Sequence, residues 1–422
     1  MNLKEFDWEG ARSTGKAMRE WTGESIESAD VLPILNQVQS EGDSAVLRLS
    51  SQFDAVDCVQ ESLRVDPGEA YRALAELGSA RREAMEVSAD NIRSVAKAQV
   101  DTKHRIVELP QGQTVRIREV PVGAVGVYAP GGRAAYPSSV LMCALPAQVA
   151  GVERIALASP PGPDGDVHPL VLAAAAFCGI EEIYAMGGAH GIAALGFGTE
   201  TIEAVNVIAG PGNTWVQEAK RIVNGFVGID SYAGPSELMV VVDASVNAEW
   251  AALDLCAQAE HGANSPLVIA AVDDVALAAV KGATLRAAAD RGVPEAPLAL
   301  IRVPTVEAAV ELANVFAPEH LELLVEGAAQ QATKVRTAGC VFVGAYGATA
   351  FGDYAAGSNH VLPTTGAGRF SGPLGPGTFR RKIATVEVSA EAASKLAPHV
   401  DALARAEGFP VHGESAMIRG ES

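Results

Sequence analysis

The chain has 422 residues, 32 of them Lys or Arg against 51 Asp or Glu, for a formal net charge of −19. Phosphate neutralisation needs clustered basic side chains and an anionic membrane repels an acidic protein, so the charge argues against both nucleic acid and membrane surfaces as partners. With 48% hydrophobic and 20% charged residues, the length provides material for two substantial cores.

The N-terminus carries Lys4, Glu5, Asp7 and Glu9 where a signal peptide needs an apolar stretch, and residues 1–25 read as an arm. Residues 27–100 read as helical, with Asp30-Val31-Leu32-Pro33 opening one helix and a long polar helix running from Pro67 toward Val100. From about residue 120, short β-branched runs alternate with helical stretches, the pattern of parallel α/β sheets. A first series places strands at 122–128, 154–158, 182–186 and 205–208, with helices at 138–150, 168–178, near Ile192 and at 214–224. A second places strands at 238–242, 267–272, 298–303, 321–325 and 340–343, with helices at 248–260, 275–289, 306–315 and 328–337. Residues 344–377 are too rich in Gly and Pro for regular structure over most of their length, and a loop of about thirty residues inside a compact protein is usually functional or disordered. Helical periodicity returns from Ser389, read as an N-cap, to Glu407.

The fold class expected is therefore α/β, two tandem Rossmann-like α/β/α domains with small N- and C-terminal helical segments. The divisions are an arm at 1–25, a discontinuous first domain at 26–126 and 237–372, a second at 127–236, and a helical tail at 373–422. No apolar run reaches the ~18 residues of a membrane span; 169–180 comes nearest and is closed by Glu181 and Glu182. Cys58, Cys143, Cys178, Cys256 and Cys340 form no CxxC pair and read as small core residues of a reduced, cytoplasmic protein.

Gly10-Ala-Arg-Ser-Thr-Gly-Lys16-Ala17 approaches a phosphate-binding loop, but Ala17 replaces the magnesium-holding hydroxyl and no apolar strand is read before Gly10. No GxGxxG occurs. Instead, three glycine turns close strands of the first series: Tyr128-Ala-Pro-Gly-Gly132, Met186-Gly-Gly-Ala-His190 and Ala209-Gly-Pro-Gly-Asn213. Ligands of open parallel sheets bind beyond such strand ends. Gln258 and His261, three apart, share a helix face and could hold a metal or simply end a surface helix. Glu319 and His320 could move protons together, although neighbours in an extended chain face opposite ways. Asp353 and His360 in the Gly-rich segment, and His412 near the end, are further metal-capable groups.

Taken together, Tyr128-Ala-Pro-Gly-Gly132, Gly210-Pro-Gly-Asn213, Ala233-Gly-Pro-Ser-Glu237, Gln258-Ala-Glu-His-Gly262, Pro318-Glu-His320 and the run from Gly352 to Pro363 resemble the histidinol dehydrogenase family, in that order. The resemblance covers about residue 30 to the tail. It implies an NAD-dependent, zinc-containing homodimer that oxidises L-histidinol through L-histidinal to L-histidine. The family pattern puts zinc, with manganese as an alternative, on Gln258, His261, Asp353 and His412. It puts acid/base work on Glu319 and His320. Substrate contacts fall on Ser236, Gln258, His261, His320, Asp353, Glu407 and His412, with the tail residues reaching the partner's site. Nucleotide contacts fall on Tyr128, His190 and Asn213, His190 standing where the family usually has Gln. Two rival readings are a dehydrogenase of another small alcohol, such as a sulfonated one, and a metal-bearing binding protein without turnover. The imidazole-binding metal set argues against the first, and the retained Glu319 and His320 against the second.

Overall fold

The computed structural model describes residues 1–22, 29–54, 63–101, 105–131 and 135–421; Cys58 and Gly132 fall outside them. In chain order the elements begin with β1 (Asn2–Phe6), α1 (Ala11–Trp21), α2 (Leu32–Glu41), α3 (Asp43–Phe53), α4 (Pro67–Glu76), α5 (Ser79–Gln99), β2 (Arg105–Glu108) and β3 (Thr114–Pro121). The first α/β series follows as β4 (Ala124–Tyr128), α6 (Pro137–Ala150), β5 (Arg154–Ser159), α7 (Pro169–Phe177), β6 (Glu182–Ala185), α8 (Gly188–Phe197), β7 (Val207–Ala209), α9 (Thr214–Val223) and β8 (Gly228–Ile229). The second runs β9 (Leu238–Val242), α10 (Ala248–Ala259), β10 (Leu267–Ala271), α11 (Asp274–Arg291), β11 (Pro297–Arg302), α12 (Val306–Phe316), β12 (His320–Leu324), α13 (Ala328–Ala332), β13 (Cys340–Val343) and α14 (Thr349–Tyr354). The chain closes with β14 (Arg380–Glu387), α15 (Ala390–Ala406) and α16 (Pro410–Gly420).

Residues 1–98 and 123–379 form one compact unit that holds both tandem parallel sheets of the expected α/β class. One sheet has the order β6-β5-β4-β7-β8, the other β1-β11-β10-β9-β12-β13. In each, the chain moves outward on one side of its first central strand, β4 or β9, and then returns to add strands on the other side. That reversal opens a crevice at the strand ends. The four inner strands of the larger sheet, β9 to β12, are buried on both faces, which is why they read as continuous apolar runs. Period-two alternation divides them: Met239, Val241, Leu321 and Leu323 pack toward Met18 and Phe316, while Leu238, Val240 and Leu324 pack toward Leu255 on α10. His320 and Glu322, on the same strand parity as Leu324, therefore face the α10 side.

Several expectations are corrected. Residues 1–22 are no arm: β1 pairs in parallel with β11, and α1 packs on α12. A strand does precede Gly10, yet Gly15 and Lys16 lie within α1, so the stretch forms no phosphate cradle. Residues 31–49 pack onto the smaller sheet, with Val31, Leu35, Val46 and Leu49 clustered against Tyr128, Tyr184 and Ile192. The long polar helix is two helices, broken at Leu77 and Gly78. The tail is not purely helical. Residues 99–122 and 380–422 form a second compact unit, with an antiparallel β14-β3-β2 sheet beside the paired helices α15 and α16. Ser389 caps α15 as expected, accepting the Ala392 N–H. The four described cysteines are free, and Cys143, Cys178 and Cys256 are buried. Among the described residues no helix is long and apolar enough to cross a membrane.

One buried ion pair joins the N-terminal segment to the centre of the larger sheet. Both guanidinium nitrogens NH1 and NH2 of Arg19 meet the Glu237 carboxylate, while Nε donates to Phe316 O at 2.8 Å and NH2 to Ala317 O at 3.0 Å. Its plane also lies 3.6 Å from the Phe316 ring centroid. Arg19 thus satisfies the last carbonyls of α12, including that of Ala317, a non-glycine residue at φ +51°. Arg19→Met should cost about 3–5 kcal/mol in denaturant unfolding, because the Glu237 carboxyl is left buried without its partner. The double variant with Glu237→Gln should recover part of that loss; equal stability of Arg19→Met and wild type would contradict this account.

Candidate active site

The turn after α12 delivers Glu319 and His320 to the start of β12, at the edge of the larger sheet. Both are buried. Glu319 precedes the strand, so the opposed facing of extended neighbours does not apply, and its Oε2 lies 3.4 Å from His320 Nδ1. That carboxylate also accepts the Glu237 N–H at 2.9 Å and the Ser236 hydroxyl at 2.5 Å. The Glu237 carbonyl is 3.2 Å from His320 Nδ1 and accepts the His320 N–H at 3.2 Å.

The array extends in both directions. Gln258, buried in the last turn of α10, donates through Nε2 to Ser236 Oγ at 2.6 Å, leaving Oε1 available to another donor or a cation. At the other end, His320 Nε2 stands 3.7 Å from Asp353 Oδ1 on α14. The Asp353 carbonyl is paired with His360 Nδ1 at 2.9 Å, and His360 Nε2 with Ser139 Oγ at 3.2 Å. Gln258, Ser236, Glu319, His320 and Asp353 are thereby gathered from four separate segments.

Charge distribution sets two opposite histidines side by side. Burial alone would lower the His320 pKa, but the Glu319 and Asp353 charges outweigh it and raise it from 6.5 to about 9. Glu319 responds in kind: burial would raise it, yet the His320 charge and the bonds from Ser236 and Glu237 leave it below its ordinary value. For His360 burial prevails and the pKa is lowered, so its imidazole is neutral where that of His320 is charged. Neighbouring titratable groups pushed apart in this way suit separate acid and base roles.

His261 follows α10 in an exposed position three residues from Gln258, and α10 packs on α14, which carries Asp353. No three His, Cys, Asp or Glu among the described residues lie close enough to bind a metal by themselves. Gln258 is the donor that such a grouping omits. Glu407 and His412 belong to the second unit, Glu407 closing α15 and His412 lying in the first turn of α16.

The three nucleotide-side candidates follow strands of the smaller sheet. Tyr128 ends β4, is buried, and its hydroxyl accepts the Gly188 N–H at 3.1 Å; burial pushes its pKa up. Asn213 caps α9 by accepting the Val216 N–H at 3.1 Å. His190 is only 1% exposed, with Nε2 paired to Ser50 Oγ at 3.0 Å and 3.4 Å from Asp54 Oδ2. Between Tyr128 and Asn213 runs the Gly210 turn. At φ +130°, a Cβ on Gly210 would lie 2.1 Å from Tyr128 O, so only glycine fits. Its N–H donates to Asp230 Oδ2 at 2.8 Å and its carbonyl accepts Lys220 Nζ at 2.9 Å, while Lys220 and Asp230 pair with each other in the interior.

Sequence reasoning missed Arg19, Ser139 and the role of Glu237. Arg19 carries no local signal, since its partners lie 218 to 298 residues away. His360 was visible in Ser358-Asn-His360 as metal-capable, but its bond to Asp353 needs the folded loop.

The geometry agrees with comparisons to known proteins. The family model for histidinol dehydrogenase matches residues 18–420. A histidinol dehydrogenase of Synechococcus sp. is 43% identical over 405 residues, 93% of this chain and 92% of the relative. One from Pseudomonas aeruginosa is 40% identical over 409 residues, 94% of this chain and 92% of the relative. The crystal structure of histidinol dehydrogenase from Elizabethkingia anophelis, 31% identical, aligns with a TM-score of 0.89 over 99% of this chain and 98% of that one. Sequence motifs, fold and near-complete coverage agree: the chain belongs to the histidinol dehydrogenase family.

Proposed function

We propose that the protein oxidises L-histidinol through L-histidinal to L-histidine, the closing steps of histidine biosynthesis, in the cytoplasm. The observation that carries this reading is the buried array from Gln258 through Ser236, Glu319 and His320 to Asp353. A cation held through Asp353 would offset one of the two carboxylate charges that keep His320 protonated; the neutral ring then takes the alcohol proton as each hydride departs, and Glu319 orients and activates the water that adds to the aldehyde. Ser236 fixes the Glu319 carboxylate, and His360, neutral and tied to Asp353, offers no competing positive charge.

The donors fit zinc, with manganese as the alternative: an amide oxygen, imidazole and carboxylate, with no thiolate. Gln258, His261, Asp353 and His412 would hold it, and when bound it supplies a positive centre that orients the substrate's imidazole and amine. NAD+ is the hydride acceptor, used twice because oxidation of a primary alcohol to an acid removes two hydrides. The tight Gly210 turn supports placing it at the crevice beside β4, with Tyr128 and Asn213 nearby. His190 serves that side through Ser50 and Asp54, its ring being buried. The protein is a homodimer whose tail residues Glu407 and His412 complete the partner's site, along with its set of metal and substrate ligands.

His320→Gln should lower turnover of L-histidinol about 10²- to 10⁴-fold in steady-state assays, and unchanged turnover would remove His320 as the base. Co-expression of His412→Ala with Glu319→Gln chains tests the exchanged tail. Each variant alone should be nearly inactive, whereas a mixed dimer holds one intact site of two, so isolated mixed dimers should recover about half of wild-type activity and the randomly paired population about a quarter. No recovery in isolated mixed dimers would place His412 in its own chain's site. A third expectation concerns pH. In chelator-treated protein His320 holds its proton to about 9, against 6.5 when unfolded, so its stabilising contribution is complete below 6.5 and lost as pH rises through 9. The melting temperature should fall across that window more for wild type than for His320→Gln, and parallel curves would contradict the pairing.

A further inference from the structure

Glu322 is a buried acid that the proton-handling pair does not use. It follows His320 by two residues on β12, faces the same side of the sheet, and is fully shielded from solvent. Its Oε1 accepts the N–H of Thr349 at 3.0 Å, and Oε2 has no hydrogen-bond partner among the described residues. Thr349 is the first residue of α14, a helix of six residues, too short to be stable without external ties. Its far end is held from α5, where Ser88 Oγ donates to Tyr354 O at 2.5 Å and Asn91 Nδ2 to Ala355 O at 2.7 Å. At the near end the tie is Glu322.

We propose that Glu322 is a positioning residue, which fixes the first turn of α14 through the Thr349 N–H and so holds Asp353 in place beside His320. The consequence for metal affinity rests on the assignment of Asp353 as a ligand made above. Burial, reinforced by the Asp254 charge on α10, raises the Glu322 pKa well above the ordinary carboxyl range, against the opposing charge of His320 on its own strand. A buried carboxyl that serves as an acceptor for the Thr349 N–H has a close mimic in glutamine, whose amide oxygen can take the same bond. The donor can also be deleted with the Glu322 side chain left intact. Proline is tolerated at the first position of a helix, and Ala348 before it has the extended backbone, φ −74° and ψ 142°, that a following proline requires.

The test compares full-length wild type with Glu322→Ala, Glu322→Gln and Thr349→Pro, reading zinc affinity by competition with a chromophoric chelator, the melting curve, and L-histidinol turnover. Glu322→Ala and Thr349→Pro should each weaken zinc binding about 10- to 100-fold, the usual effect of removing a group that orients a ligand. Glu322→Gln should recover most of that loss. If Glu322→Ala does not fold, the contrast between Thr349→Pro and Glu322→Gln carries the same information. Wild-type affinity in folded Thr349→Pro, or Glu322→Gln as weak as Glu322→Ala, overturns the proposal. A wild-type chain that binds no zinc contradicts the metal assignment itself, a result distinct from equal affinities across the variants.

Discussion

The arrangement depends on one residue, Glu237, placed at the start of the central strand of the larger sheet. Its side chain is gripped by Arg19 and accepts the Thr365 N–H at 2.9 Å, so it reaches both the N-terminal helix and the Gly-rich segment. Its backbone does different work: the N–H binds the Glu319 carboxylate and the carbonyl meets the ring of His320. A single buried residue therefore ties the ends of the α/β unit to the atoms that handle protons. Leaving a charge uncompensated in such a place costs several kcal/mol. This constraint explains why residues 1–22 are joined to the larger sheet rather than left as an appendage.

Around that anchor the site concentrates acidic groups and sorts them by their neighbours. The pKa of Glu319 is lowered by its donors and by His320, whereas that of Glu322, with a single backbone donor and Asp254 nearby, is raised by burial. Both acids lie within three residues of each other, and the difference follows from hydrogen-bond supply and not from residue type. The two histidines divide likewise, His320 between two carboxylates and His360 in a place where burial dominates. The tandem sheets share the labour: the smaller one presents a glycine turn braced by Lys220 and Asp230, and the larger one presents the proton-handling pair.

Much of this was legible in the sequence because buried parallel strands are written as short apolar runs and their helices as longer stretches between them. The strands 238–242 and 340–343 lie where the pattern places them. What escaped were elements whose side chains do not alternate toward a core. Strands β2 and β14 are largely exposed, and β1 is a charged edge strand that takes its place only through pairing with β11. The motifs likewise exposed Gln258, Glu319, His320 and Asp353 by residue type. Their convergence depends on Ser236 and Glu237, whose side chains meet partners on other segments that spacing could not reveal.

The measurement that bears most directly on the central claim is the number of NADH molecules formed per L-histidinol consumed by protein stripped with chelator and then supplied with zinc. The account predicts two, with activity absent before the metal is restored. One NADH per substrate, or the same rate with and without metal, would contradict it.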